Sequence, residues 1–317
     1  MSTGALAHAL EQLVEAGLVF RRGQPPDATY TFKHALVQDA AYATLLRGPR
    51  QALHVRVADA LEQHSPDIVD RQPELLAHHL TAARATERAV EYWFRAGERA
   101  ASRSANREAT AHYRAGLQLL EQFADLAERE AWELRLSIAL GPVLMMTASS
   151  TAPEVRGVYA RASRLARQAG RSVELFRALW GSWLAAVAAA DSRSAGAFLD
   201  ELFALLAQPD VSEEMTLQAH HAAWTTTFFL RGDFSSARRH IEAGLPLYRP
   251  ETHAHHALLY GGHDPGVCGY GVGGMISALL GYLDRASREA AEALSLGRAL
   301  SHHGSLAQAY WFSSEVY

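Results

Sequence analysis

Tyr92-Trp93-Phe94-Arg95-Ala96-Gly97-Glu98, followed one turn later by Ala109-Thr110-Ala111-His112-Tyr113-Arg114-Ala115-Gly116, is the stretch whose spacing decides the fold. An aromatic and a glycine four apart mark one face of a helix. An alanine, a large residue four on and a small residue three further mark a second helix, with small side chains where two helices must touch. Trp93, Gly97, Ala109, Tyr113 and Gly116 meet all five positions in one register. Working outward, a second copy keeps the turn and the second helix in Gly232-Asp233-Phe234-Ser235-Ser236-Ala237, with Ile241 and Gly244 after it and Pro250 closing the unit. A third runs Gly281-Tyr282-Leu283-Asp284-Arg285-Ala286, then Ala290 and Ala293, and Trp180 with Gly196 forms a weaker copy between. Ala237 and Ala286 stand 49 positions apart, more than the repeat of about 34 that such helix pairs use, which predicts long connections.

The rest of the chain agrees with a helical array. Apolar residues recur at three-and-four spacing over His54 to Gln63, Pro73 to Ala83, Thr86 to Arg103, Asn106 to Leu120, Ala131 to Leu140 and Ala307 to Tyr317. Breaks are expected at Ser65-Pro66, Gly141-Pro142, Gln208-Pro209 and Arg249-Pro250, because proline removes a helix donor and clashes with the preceding turn. Residues 5 to 46 read differently. Leu6, Leu10, Leu13 and Val14 lie at helical spacing, and Gly17 suits a left-handed helix cap. Two β-prone runs, Leu18-Val19-Phe20 and Thr29-Tyr30-Thr31-Phe32, flank the turn Gly23-Gln24-Pro25-Pro26-Asp27 and predict a hairpin. A further helix carries Leu36, Ala40, Tyr42 and Leu45-Leu46 before Gly48-Pro49. The expected fold is therefore all-α: a tetratricopeptide-like α-solenoid over 50–317, preceded by a small winged-helix remnant with a β-hairpin over 5–46.

Composition narrows the function. Of 317 residues 49% are hydrophobic and 20% charged, enough to bury a substantial core and unlike a disordered chain. The net charge of −4 has no basic stripe within it, and the first helix carries no arginine, so nucleic acid is not the expected partner. One cysteine, Cys268, precludes an internal disulfide and fits a reducing compartment. Neither a signal peptide nor an apolar run long enough for a bilayer is visible, and a cytoplasmic location without membrane contact is expected.

Five stretches stand out together: Leu13-Val14-Glu15-Ala16-Gly17-Leu18-Val19-Phe20-Arg21-Arg22-Gly23, Tyr30-Thr31-Phe32-Lys33-His34-Ala35-Leu36-Val37-Gln38-Asp39-Ala40-Ala41-Tyr42, Gln72-Pro73-Glu74-Leu75-Leu76-Ala77-His78-His79, Pro153-Glu154-Val155 and His263-Asp264-Pro265-Gly266-Val267. They resemble the C-terminal region of bacterial STAND-type ATPases with tetratricopeptide tails, proteins often fused to class III adenylate or guanylate cyclase domains. The resemblance implies a regulatory, protein-interaction segment in the cytoplasm, working with an upstream ATPase domain, its groove taking a protein, a peptide or a small effector. It also implies that ATP or ADP would bind the intact parent, with His34 looking toward the β-phosphate of ADP. No Gly-x-x-x-x-Gly-Lys-Ser/Thr occurs, Lys33 being the one lysine, so neither a cofactor nor a catalytic residue is expected in this chain. The alternative is a fragment of a nucleotide cyclase or transcriptional regulator whose catalytic or output domain lies outside the chain.

Other constellations read as structural. His253, His255, His256 and His263 with Asp264 are the densest metal-capable group, yet His-x-His-His does not place its members on one helical face, so surface histidines of a connecting loop turned by Gly261-Gly262 are expected and no metal. In His78-His79 and His220-His221 one ring of each pair is expected to be buried. Gly269-Tyr270-Gly271-Val272-Gly273-Gly274 lacks the strand of a nucleotide fingerprint and predicts close helix packing or a hinge. Gly181-Ser182-Trp183 is no nucleophile elbow. Trp93, Trp132, Trp180, Trp183, Trp224 and Trp311 are expected to anchor the core.

Overall fold

The computed structural model describes residues 3–25, 28–209, 211–261, 263–300 and 302–317. Pro26 and Asp27 of the expected turn, and Gly262 of the expected loop, lie outside them. The described chain is helical apart from one hairpin. It divides into two compact units: Met1–Pro66 with His79–Ala85, and Asp67–His78 with Thr86–Tyr317.

The first unit opens with helix α1 (Thr3–Glu15), strands β1 (Val19–Arg22) and β2 (Thr29–Phe32), and helices α2 (Ala35–Thr44) and α3 (Arg47–His64). Gly17 ends α1 at φ +70°, where the Leu18 amide donates to Leu13 and the Gly17 amide to Val14, closing the last turn with the two reciprocal bonds of a Schellman cap. β1 and β2 pair antiparallel with Val19 opposite Phe32 and Arg22 opposite Thr29. The sequence boundary near residue 50 would separate α3 from this unit. Instead His54 on α3 bonds Tyr42 on α2 at 2.9 Å and His79 at 2.9 Å, which ties α3 to the first unit. Leu36 and Leu46 are 82% and 76% exposed, with Phe20, Leu6 and Leu53 also in solvent, so this unit shows a broad apolar surface.

The second unit takes in α4 (Pro66–Arg71), part of α5 (Pro73–Ala83), and then α6 (Thr86–Ser102), α7 (Asn106–Leu119), α8 (Leu126–Thr147), α9 (Pro153–Gln168), α10 (Ser172–Ala188), α11 (Ser192–Leu205), α12 (Glu213–Thr225) and α13 (Phe234–Gly244). Two single-turn helices, α14 (Pro250–His253) and α15 (His256–Leu259), precede α16 (Pro265–Leu279), α17 (Leu283–Ala299) and α18 (His303–Val316). From α6 through α11 each helix packs against the next, and the same holds for α12 with α13 and for α16, α17 and α18 in turn. The long interval between Ala237 and Ala286 is filled by α14 and α15.

One turn recurs at the joints. Arg84, Ser104, Gly170, Ala190, Gly232 and Gly281 all have φ between +54° and +84°, and each stands two residues before the first residue of a helix. At five of them the next residue's amide reaches back five positions, as Ala105 to Ala100 and Asp191 to Ala186, so the end of one helix is capped and the next is launched in three residues. Asp191 and Asp233 then cap α11 and α13 by accepting from the Ser194 and Ser236 amides.

Aromatic rings enter slots left by glycines. A Cβ built on Gly97 would lie 2.3 Å from the Tyr113 ring, on Gly271 2.1 Å from the Phe312 ring, and on Gly244 3.0 Å from the Trp224 ring. Tyr159 on α9 fills two slots, with a Cβ on Gly141 of α8 falling 2.3 Å and one on Gly181 of α10 2.2 Å from its ring. Trp93, Gly97, Ala109, Tyr113, Gly116, Ala237, Gly244 and Ala286 are all buried. Gly232 and Gly281 correct their reading as packing residues: both are exposed, nothing lies within 4 Å of a Cβ there, and they serve the left-handed turn.

Three further expectations change. Gly141-Pro142 does not break the chain, because α8 runs through it to Thr147. A mid-helix proline costs roughly 3 kcal/mol, and burying Pro142 together with the Tyr159 ring against Gly141 offsets it. Trp132 is half-buried and Trp311 is 45% exposed, stacked on Phe229, while Trp93, Trp180, Trp183 and Trp224 are core residues. In the His78-His79 pair, neither ring is fully buried, whereas His221 is buried and His220 half so. Among the described residues no helix is long and apolar enough to cross a membrane.

Candidate functional site

Within the second unit lies a cavity of about 710 Å³, walled by α6, α8 and α10 and closed on one side by α15. Its floor is aromatic. Phe94 and Trp132 meet with ring centroids 6.1 Å apart, and the Arg135 guanidinium lies over both, 4.1 Å from the Phe94 ring and 4.9 Å from Trp132. That stacking holds a cation in the cavity without pairing it to a carboxylate. Glu98, Glu128, Glu174, Arg171 and Arg177 complete a wall of both signs. Partial burial pushes the Glu98 carboxyl above its ordinary range, outweighing the pull of Arg135 and Arg95. Arg171 pairs with Glu174 on the same helix. A concave site of this size, apolar at its base with a few placed charges, suits an extended peptide or a compact organic ligand.

The segment that follows Pro250 is not the surface loop that its composition predicts. His253 and His256 are buried, His263 is half-buried, and only His255 of the four is exposed, lining the cavity with Leu258. The reason is that α15 seats against α8, which turns the adjacent rings inward. His256 Nδ1 and His263 Nε2 are met by side chains of α12, and His253 Nδ1 accepts from the Arg249 amide. Gln218 sits between two rings, its Nε2 2.9 Å from His256 Nδ1 and its Oε1 3.0 Å from His221 Nδ1, while His221 Nε2 lies 3.1 Å from His263 Nε2. Burial lowers His263 to about 4 and takes His221 well below its ordinary value, so both rings are neutral near pH 7. Glu214, in the first turn of α12, accepts from Tyr260 Oη at 2.7 Å and from Arg177 Nη2 at 3.1 Å. Burial alone would raise its carboxyl, but the neighbouring His256 and Tyr260 side chains and the Arg177 charge hold it far below the carboxylate range. Sequence reasoning missed Glu214, Gln218 and Arg177 because Glu214 and Gln218 lie 42 and 38 positions before His256, and Arg177 lies 37 before Glu214.

Two further candidates are His34, in the first unit, and Cys268, in the second. His34 is exposed at the N-cap position of α2, and its side chain makes no capping bond, so the ring is free of the structural role that a capping histidine would have. Cys268 is fully buried against Trp224 and Thr225, and burial pushes its thiol up to about 11, a packed side chain rather than a nucleophile.

No family matches the chain. A relative is an uncharacterized protein of Rhizobium meliloti (strain 1021), 33% identical over 269 residues that make up 84% of this chain. The chain spans 26% of that relative's length.

Proposed function

We propose that this chain is a non-catalytic interaction segment of a larger signalling ATPase: a tetratricopeptide-like solenoid whose groove binds a peptide, a protein or a small effector, joined through a winged-helix remnant to an upstream ATPase domain. The observation that carries the reading is the cavity along α6, α8 and α10, with the Arg135 cation laid over its aromatic floor and charges of both signs on its walls. Support for the repeat assignment comes from the recurring left-handed turn and from the glycine slots that receive Tyr113 and Tyr159. Support for a covering partner domain comes from Leu36, Leu46 and Phe20, whose exposure is large for a unit that stands by itself. The relative from Rhizobium meliloti carries the similar stretch within a much longer protein. Ligand occupancy would bias the ATPase only by binding its two states unequally.

The test is a screen of immobilised mixed-charge peptides and small organic acids and amines against the wild-type chain and against Arg135→Glu. Replacing an exposed cation by an anion leaves the fold intact and reverses the charge over the floor. Ligands of the groove are expected to lose at least tenfold in affinity, about 1.4 kcal/mol. Hits that bind both proteins equally would place recognition outside the cavity and sink the proposal.

A further inference from the structure

His256 is fully buried, yet its Nε2 has no hydrogen-bond partner. A buried ring nitrogen left unpaired costs roughly 1–3 kcal/mol, so a native protein needs a reason to keep one. The atom it faces is Glu214 Oε2, 3.8 Å away, too far for a hydrogen bond. That distance is nearer to another arrangement: two donors each about 2.0–2.2 Å from one tetrahedral zinc ion stand about 3.3–3.6 Å apart, so a shift of a few tenths of an ångström would let both reach one ion. The exposed ring of His255 supplies a third atom, and the ligand atoms of Glu214, His255 and His256 all lie within 4.8 Å of one another.

We propose that Glu214, His255 and His256 form a binding site for a divalent transition-metal ion of the zinc class, where α12 meets α15 and beside the cavity that His255 lines. Two imidazoles and one carboxylate are the donor set of open, ligand-accepting zinc sites. The outer contacts that such a set requires are in place. Tyr260 and Arg177 both bind Oε1 of Glu214, fixing the carboxylate while leaving Oε2 for the ion. Gln218 holds His256 by Nδ1, which orients Nε2 toward Glu214. Metal binding needs the lone pair at Nε2, hence a proton at Nδ1. A half-turn of the Gln218 amide supplies an acceptor there and a donor to His221 Nδ1. His221 then donates from Nε2 to His263, whose other nitrogen donates a hydrogen bond to the Gly261 carbonyl. Every polar atom of the relay stays satisfied, and the one unpaired position is at the ion.

The second cluster of metal-capable groups, His221, His263 and Cys268, is already internally satisfied. Its two imidazoles bond each other and the sulfur accepts from Trp224 at 3.5 Å. Among the described residues Arg177 is the cation that contacts the proposed site, and it would weaken a dication's affinity without blocking it, since it engages the other carboxylate oxygen.

The experiment is calorimetric titration of the chelator-stripped chain with Zn2+ near neutral pH, paired with Co2+ absorption to report the donor set. One ion per chain is expected, with nitrogen and oxygen donors. Affinity should fall more than tenfold in His255→Ala, an exposed change that leaves the core untouched, and in Glu214→Gln. His256→Gln should abolish binding, with circular dichroism confirming that the chain remains helical. An absence of binding by the wild type overturns the proposal, as does binding that His255→Ala and Glu214→Gln leave unchanged. A thiolate-to-cobalt band removed by Cys268→Ser would put the ion in the other cluster and equally overturn it. Because peptide capture by Arg135 is read separately, failure here leaves the groove assignment standing.

Discussion

Gly181→Ala tests the packing on which the helical array depends. Adding one methyl to a helix interior normally stabilises by about 1 kcal/mol, because alanine is the better helix former. Here the new Cβ would lie 2.2 Å from two carbons of the Tyr159 ring, where ordinary contact is about 3.5–4.0 Å. The ring must move by more than an ångström, and it has no free direction, since a Cβ position on Gly141 is already 2.3 Å from it and Tyr159 is buried. Overpacking of this kind costs about 2–3 kcal/mol, so the net effect is destabilisation by about 1–2 kcal/mol. Tyr159→Ala alone should lose about 3–5 kcal/mol by leaving a cavity. In that background the slot is empty, and Gly181→Ala should change sign and stabilise by about 1 kcal/mol. Urea denaturation followed by circular dichroism on the four proteins of this cycle gives a coupling of about 2–3 kcal/mol. If Gly181→Ala lowers the urea midpoint equally with and without the tyrosine, the glycine slot is not what seats α9 between α8 and α10.

Ala190 has φ +54° and is exposed, so Ala190→Gly should relieve a left-handed conformation and raise stability by about 0.5–1 kcal/mol in the same denaturation assay, whereas a fall would refute the turn assignment. Acid should weaken the second unit: His263 titrates at about 4 when folded and 6.5 when free, so the unfolded chain binds more protons between those values. Stability is therefore level above about pH 6.5 and falls toward pH 4 by up to about 3 kcal/mol, with His221 adding in the same direction. Melting temperature should decline less between pH 7 and about pH 4 in His263→Phe than in the wild type, and an equal decline in both would refute the assignment to this ring. For His34, joined to the ATPase domain of its proposed parent, His34→Ala should speed ADP release. Retention identical to wild type would dismiss the nucleotide-sensing role.

What the amino-acid order alone determined is local. Helical spacing of the apolar residues places the long helices, β-prone residues around Gly17 and Gly23 place the hairpin, and Gly232 and Gly281 mark two of the joints. These are legible because each depends on residues within a few positions of one another. The same turn at Arg84, Ser104 and Ala190 was not legible, since those side chains tolerate a left-handed φ only because the helices on either side hold them there. Tertiary structure decided the rest. Gly141-Pro142 reads as a break until Tyr159, eighteen residues on, occupies the space that the glycine leaves. The histidines after Pro250 read as solvent-facing until α15 closes on the cavity and Glu214 and Gln218 of α12 become their neighbours. A buried polar atom is defined by what surrounds it, and in a chain of stacked helices those surroundings come from one or two helix pairs away, beyond the reach of any local pattern.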